Sequence, residues 1–345
     1  MRTSRSAFHL ISTSMLGLLV YSGSIQAEQT TWWQRADIYA ALGVSHVEAA
    51  PETGGSIGMS FDDSSTPTLD KSLIGGEGLD SRHYLPSGTL GARIHLTQRL
   101  SWGVEMHRYS FSDAESAVPL DAPGVTPLPN SATFLETSTF KLKAHDLAAT
   151  VRYSRWNVTL DGLYGERSGS FLSTSSMDAF GVFTASNFIN MTLANGSSFK
   201  GDGQLYGFGL SIGVPRTTVS LFGRYKRADL EGRSNSFARA VGTVASPTSP
   251  PLVGASTVTR NNARAESIIQ DYEYGLQFDF IPSEDGVQSF VRLSYLETRW
   301  ELNGLPTGSS GFGGTIGNLT ADSFANAGLG KATLRGYGAA VGVMF

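Results

Sequence analysis

The pattern of apolar and polar positions is clearest at the C-terminal end of the chain. Apolar residues occupy every second position from Tyr337 to Phe345, and the residues between them are small apart from Met344. A period of two is typical of a β-strand, because successive side chains point to opposite faces. The segment therefore predicts a strand with one apolar face and one face suited to a crowded interior.

The same alternation returns along the chain in paired segments. Residues 88–96 and 100–107 both alternate, and only Thr97, Gln98 and Arg99 separate them, which predicts a hairpin with a tight turn. Counted in this way, the chain contains ten predicted strands: 37–45, 88–96, 100–107, 140–153, 156–167, 204–214, 217–226, 271–281, 287–299 and 334–345.

The connections between these strands are alternately short and long. The short ones lie near 97–99, 154–156, 215–216 and 282–286, and the long ones span 46–87, 109–138, 168–203, 227–267 and 300–333. Short periplasmic turns and long outer loops are typical of outer-membrane barrels. The fold class predicted is all-β, a transmembrane antiparallel up-and-down β-barrel of about ten strands. Eight or twelve strands remain alternatives, because residues 180–188 and 193–199 could form a further hairpin.

The N-terminal segment has the pattern of a secretory signal peptide. Arg2 and Arg5 precede a short apolar stretch, Met15–Tyr21, and small residues lead to a cleavage site after Ala27. The apolar stretch is too short for a transmembrane helix. We therefore expect a signal peptide over 1–27 and, over 28–345, a single outer-membrane β-barrel domain with five long extracellular loops.

Composition excludes several other classes of protein. The formal net charge is −4, which argues against a nucleic-acid partner, and the absence of cysteine excludes disulfides and thiolate chemistry. Past the signal peptide no apolar run approaches the 18 residues that a membrane helix needs.

Aromatic residues fall at two levels along the predicted strands. One group, which includes Trp33, lies near the short turns, and a second lies about one strand length away. Two aromatic girdles are expected where rings meet lipid headgroups. The first group is Trp33, Trp102, Tyr153, Trp156 and Phe280, and the second is Tyr109, Tyr164, Tyr225, Tyr272, Tyr295 and Tyr337.

Charged residues lie mainly on the face opposite the apolar positions. An Arg or Lys facing hydrocarbon would cost about 2–4 kcal/mol at the bilayer midplane, so these side chains are expected to face the lumen. A change of phase around His145 and Asp146 is interpreted as a β-bulge. The predicted lumen-lining residues are Arg93, Glu105, Lys141, Lys143, Arg152, Asp161, Arg224, Glu273, Asp279 and Arg292.

These charges allow two interpretations, either a salt-bridged lumen that simply fills a narrow barrel or a charged constriction that selects solutes. An ion pair between Arg93 and Glu105 is expected. His95, His107 and His145 share the lumen parity, and facing imidazoles could bind metal or titrate. Without cysteine or ligand spacing, however, no metal, cofactor or catalytic residue is predicted.

The order of features resembles the porin-like major outer-membrane proteins of the legionella type. The matching segments are His145-Asp-Leu-Ala-Ala-Thr-Val-Arg-Tyr153, residues 205–213, residues 219–225 and the Gly-Tyr-Gly-Ala-Ala-Val-Gly strand from Gly336 to Gly342. The resemblance implies a pore-forming barrel and identifies no binding residue. The terminal Phe345 also resembles the signal read by the barrel-assembly machinery.

The sequence predicts a protein of the bacterial outer membrane that contacts outer-membrane lipids, the assembly machinery through Phe345, and small solutes. Its function is expected to be passive diffusion of small hydrophilic solutes or a structural role. The alternative is a surface adhesin or receptor that acts through its long loops, and a barrel-embedded enzyme is the third reading. No enzyme activity is predicted.

Overall fold

The structure is a computed structural model that describes residues 36–52, 56–63, 71–75, 81–117, 133–182, 188–246, 249–280, 288–303, 308–316, 319–328 and 330–344. The predicted signal peptide, Trp33 and Phe345 lie outside these residues. Within them, no helix is long and apolar enough to cross a membrane.

Ten antiparallel strands close into a barrel, as predicted. The barrel strands are β1 (Ala36–Glu52), β4 (Ser81–His95), β5 (Leu100–Ala117), β6 (Thr133–Arg155), β7 (Val158–Val182), β8 (Phe188–Gly213), β9 (Val219–Ser246), β10 (Ser249–Phe280), β11 (Gln288–Asn303) and β14 (Lys331–Met344). Around the barrel the order is β1-β14-β11-β10-β9-β8-β7-β6-β5-β4, so strands that follow each other in this list are neighbours in the barrel.

The first and last strands pair directly and close the barrel. Tyr39 lies opposite Met344, and Glu52 lies opposite Lys331. The C-terminal segment, as far as Met344, is thus the strand that closes the barrel against the first one. Closure matters because an open sheet edge would leave backbone donors and acceptors unpaired in hydrocarbon.

An apolar band surrounds the half of the barrel near the short turns. Leu42 is 77 % exposed and Val341 on the paired strand is 59 % exposed, although both are large apolar side chains. Outward residues of this kind recur on the other strands, including Leu90, Met106 and Leu160. A continuous exposed apolar band is stable in contact with lipid and not in contact with water. Such a band is typical of the outer surface of a transmembrane barrel.

Aromatic rings mark the upper limit of this band. Tyr274, Tyr295 and Tyr337 lie on three adjacent strands, with centroids 5.2 and 5.3 Å apart. The row continues through Tyr272 and Tyr225, whose centroids are 5.1 Å apart. The prediction that Tyr109 belongs to the upper girdle is wrong, because its side chain is buried inside the barrel. At the opposite limit of the band, Trp156 lies in a tight turn with a φ of 55°, and its side chain is 87 % exposed.

Replacing Leu42 with arginine should destabilise the barrel by about 2–4 kcal/mol, because its side chain lies near the middle of the apolar band. Ser112→Arg is the matched control, since Ser112 is exposed well above the band. Denaturant unfolding in phospholipid vesicles would measure both. Equal stability of the two variants would show that the band does not face lipid.

The predicted long loops are largely paired strands. β9 has 28 residues and β10 has 32, whereas about 9–11 suffice to cross a bilayer. These two strands remain paired from Phe278 and Val219 up to Ser249 and Ser246. The possible extra hairpin within 168–203 is likewise a continuation of β7 and β8, which pair as far as Val182 and Phe188.

A second, four-stranded sheet stands at the end far from the short turns. Its order is β12 (Gly308–Ile316), β13 (Leu319–Ala327), β2 (Ser56–Asp63) and β3 (Lys71–Gly75). It packs on the extended strands through Ala238, Ala325 and Ala327, and Asn195 donates a hydrogen bond of 2.6 Å to the Asn326 carbonyl. The segments 46–87 and 300–333, predicted as loops, thus meet in one sheet.

Candidate functional site in the barrel interior

A layer of apolar side chains crosses the lumen above the level of the aromatic girdle. Every one of the ten barrel strands contributes at least one buried residue to it. We call this layer the apolar plug; it comprises Val47, Leu85, Tyr109, Phe111, Phe140, Leu142, Ala144, Ala148, Phe171, Phe199, Leu205, Ala228, Leu230, Ala265, Ile269, Trp300, Leu302, Ala332 and Leu334. Inward side chains of this size can fill a narrow barrel.

Trp300 is the largest side chain of the plug and is 0 % exposed. Its position requires a residue without a side chain on β7, because a Cβ on Gly169 would lie 2.9 Å from Trp300 Cη2 and 2.8 Å from Leu230 Cδ1. Phe111, Phe140 and Phe171 pack in a row on the opposite strands, with edge-on or tilted rings whose successive centroids are 5.9 Å apart. Large rings and Gly169 therefore fill this part of the lumen at packing distances.

A network of ion pairs lies directly below the plug. Arg167 donates two hydrogen bonds to Asp146, of 2.6 and 2.7 Å, and its Nη2 lies 2.6 Å from Asp271 Oδ2. Lys226 Nζ lies 3.2 Å from Asp146 Oδ2 and 3.6 Å from Glu105 Oε1. Because these groups are buried, their charges are compensated within the network instead of by water.

The network extends to the opposite wall of the barrel. Glu105 accepts hydrogen bonds from Tyr39 on β1, at 2.9 Å, and from Arg224 on β9, at 3.4 Å. At the other end Thr298 on β11 donates to Asp271 at 2.9 Å. Side chains from seven strands are thus joined in one transverse layer, which we call the ion layer.

A polar cavity of about 370 Å³ lies between the ion layer and the short turns. We call it the vestibule. Its lining includes Trp156 and Asn157 of a short turn at one limit and Glu105 and Arg224 of the ion layer at the other. A smaller cavity of about 80 Å³ lies beside the ion layer and is lined by His107, Tyr109 and Glu273 among others.

The structure places eight of the ten predicted lumen-lining residues inside the barrel. Arg93, Glu105, Arg152, Asp161, Arg224, Asp279 and Arg292 line the vestibule, and Glu273 lines the smaller cavity. Arg152 on β6 donates two hydrogen bonds to Asp161 on β7, from Nε to Oδ1 at 2.5 Å and from Nη2 to Oδ2 at 2.9 Å.

Lys141 and Lys143 are on the outer surface, contrary to the prediction. The pairing of β6 with both neighbours runs without a register shift, so the expected bulge at His145 and Asp146 is absent from this strand. Phe140 and Leu142 are buried in the plug, and both lysines are exposed. The physical reason is that β6 leaves the membrane here, so water surrounds its outer face and the apolar side chains turn inward.

Because β6 has no bulge, His107 and His145 lie on opposite faces of the barrel wall. His145 is exposed on the outer face, whereas His107 points inward with Nδ1 3.6 Å from Asp146 Oδ2. The two imidazoles therefore do not face each other. His95 has the predicted parity and lies 2.6 Å from Asp37.

The ion pair expected between Arg93 and Glu105 is also wrong. In the β4–β5 register Arg93 lies opposite Gly103, and Glu105 lies opposite Gly91, so the two are diagonal. Glu105 instead reaches across the lumen to Arg224, and Arg93 stacks on the Tyr39 ring at 5.1 Å. Sequence reasoning also missed Arg167 and Lys226. Continuing the unbroken alternation through β7 and β9 would have placed both on the inner face.

Comparisons with known proteins find structural likeness at low identity. No protein-family model matches the chain, and no curated protein sequence matches it. The structure is similar to the translocator domain of autotransporter NalP from Neisseria meningitidis (12 % identity, 99 % of this chain and 97 % of that chain, TM-score 0.33). It is also similar to a Pseudomonas aeruginosa FadL homologue (8 % identity, 90 % of this chain and 90 % of that chain, TM-score 0.28). A third similar structure is the Escherichia coli outer membrane protease OmpT (10 % identity, 91 % of this chain and 98 % of that chain, TM-score 0.31).

These likenesses are too weak to assign a family or an activity, and the class of the protein follows from its own geometry. A closed ring of antiparallel strands, an exposed apolar band and a row of aromatic rings at the band's edge define a transmembrane β-barrel. Its interior contains an apolar plug, an ion layer and a vestibule, in that order towards the short turns.

Proposed function

We propose that this chain is a bacterial outer-membrane protein whose barrel is closed to passive diffusion and anchors a folded β-structure on the cell surface. The observation that carries the proposal is the apolar plug, to which all ten strands contribute. An ion would have to shed its water to cross such a layer, and burying an unpaired charge is costly. In this reading the short turns face the periplasm and the long strands face outwards.

The extended strands support the surface role. Well over half of β9 and β10 lies beyond the length that a bilayer requires, and the four-stranded sheet packs against this part. Ordered, paired strands hold a binding surface more rigidly than loops do. This favours the adhesin or receptor reading, in which the outer β-structure contacts a macromolecular partner.

A solute pore is the second candidate function. The vestibule favours it, since a cavity of about 370 Å³ with charged walls suits small hydrophilic solutes. The sequence resemblance to porin-like proteins of the legionella type supports the same function. A pore would require the plug residues to move aside.

Planar-bilayer recording separates the two candidates. The refolded wild-type protein should show no discrete conductance steps, because an ion would have to cross the apolar plug without its water. A variant with Phe140, Phe171 and Trp300 all replaced by alanine is the positive comparison and should conduct. Folding of each sample is verified by heat-modifiable migration on gels. Discrete steps from folded wild-type protein would overturn the closed-barrel proposal in favour of the pore.

A further inference from the structure

The vestibule contains more positive than negative charge. Four arginines line it, namely Arg93, Arg152, Arg224 and Arg292, against three carboxylates, Glu105, Asp161 and Asp279. Arg152 pairs with Asp161, and Arg224 pairs with Glu105. The remaining carboxylate, Asp279, accepts a 2.7 Å hydrogen bond from Gln277.

Arg93 and Arg292 are the two cations left over. Among the described residues, neither has a carboxylate oxygen within 4.0 Å of its guanidinium nitrogens. Arg93 is only 8 % exposed, and Arg292 donates to the uncharged Gln277 Oε1 at 2.8 Å. Glu273 attracts Arg292 from the neighbouring strand, but it attracts Arg224 as well, and Asp161 and Asp37 act on Arg93 at longer range.

Both guanidiniums are held in place by aromatic rings. Arg93 lies over Tyr39 at 5.1 Å, and Arg292 lies over Phe222 at 4.6 Å and Phe290 at 5.4 Å. Such stacking orients a guanidinium without neutralising it. Arg292 directs Nε and Nη2 at Gln277 Oε1, at 3.3 and 2.8 Å, so its other N–H groups are the ones that could meet a ligand. Arg152 repels both of them, whereas Glu105 as well as Glu273 attracts Arg292.

From this geometry we infer that the vestibule binds small oxyanions at Arg93 and at Arg292, its two guanidiniums without a carboxylate partner among the described residues. A phosphate or carboxylate group would supply the charge that these two side chains lack, and its oxygens match the paired N–H donors of a guanidinium. The aromatic lining accommodates an apolar portion of a larger ligand. The lining includes turn residues Trp156 and Asn157, which places the entrance at the short-turn end.

Titration calorimetry of the refolded protein with inorganic phosphate at low ionic strength tests this inference. Wild-type protein should bind phosphate saturably at millimolar concentration or below. The variant Arg93→Gln/Arg292→Gln should bind at least about tenfold more weakly. Arg264→Gln is the matched control, because Arg264 is 72 % exposed and paired with Glu231 far from the vestibule. It should bind as wild type does.

Conservative variants separate recognition from general attraction. Arg93→Lys/Arg292→Lys keeps the charge but loses the two-point donor geometry, so intermediate binding is expected. Each variant is first shown to fold by heat-modifiable migration, and if the double glutamine variant does not fold, the two single variants should each weaken binding. Absence of saturable binding by wild-type protein, or equal binding by Arg264→Gln and the folded vestibule variants, would overturn the inference. The closed-barrel proposal would survive either result, because the plug is a separate layer.

Discussion

Replacing Trp300 with alanine should lower the free energy of unfolding by about 3–5 kcal/mol. The indole is completely buried among residues from several strands, and it occupies the space opposite Gly169. Its removal leaves a cavity that rigid barrel strands cannot close, so both transfer energy and packing are lost. Denaturant unfolding in phospholipid vesicles measures this loss, with the folded fraction read from heat-modifiable migration on gels.

Trp102→Ala is the matched control for this prediction. Trp102 is an indole of the outer face near the short turns, where lipid can occupy the vacated space. Its loss should cost clearly less than that of Trp300. If both substitutions cost the same, the indole of Trp300 does not fill the lumen as described. Gly169→Val provides a complementary check. The added atoms should overpack the plug and lower the free energy of unfolding by about 1–3 kcal/mol.

Replacing Arg167 with methionine should destabilise the barrel by about 3–5 kcal/mol. Arg167 is 0 % exposed and bridges Asp146 and Asp271, so its loss leaves two buried carboxylates without their shared cation. Lys226 would still face Asp146 at 3.2 Å, but among the described residues Asp271 would retain only the hydrogen bond from the Thr298 hydroxyl. The same unfolding measurement at neutral pH tests the prediction.

The control is Arg264→Met, which removes an exposed arginine paired with Glu231 at 3.0 Å. Surface pairs of this kind contribute less than about 1 kcal/mol. A second comparison replaces Arg167, Asp146 and Asp271 together by apolar residues. Removing all three charges should recover part of the loss, because no unpaired carboxylate remains. A loss for Arg167→Met no larger than for Arg264→Met would mean that the ion layer does not hold the strands together.

The barrel itself could be predicted from local alternation, because lipid imposes a strict rule on it. Each position facing hydrocarbon must be apolar, so segments such as Leu90–Leu96 and Tyr206–Val214 show their parity without any knowledge of neighbours. Strand number and the pairing of β1 with β14 follow from counting these segments and closing the ring.

The same rule fails where the strands leave the membrane. Above the girdle the outer face is in water and the inner face is in the plug, so the apolar parity is reversed, as at Leu142 and Lys143. In the sequence such a reversal looks the same as a bulge, although the pairing of β6 has no register shift. Many inward residues higher up are small, such as Ser234 and Ala238, and their alternation resembles a polar loop. The lengths of β7 to β10 were therefore underestimated.

The sequence by itself determined the class of the protein, because residues that face lipid alternate with residues that face the lumen along each membrane-spanning strand. Only the tertiary structure decided what the lumen contains. Whether inward charges line a channel or compensate one another depends on which strands face each other across the barrel, as for Glu105 with Arg224 and Arg167 with Asp271. Those contacts are set by barrel closure and register, which no single strand encodes.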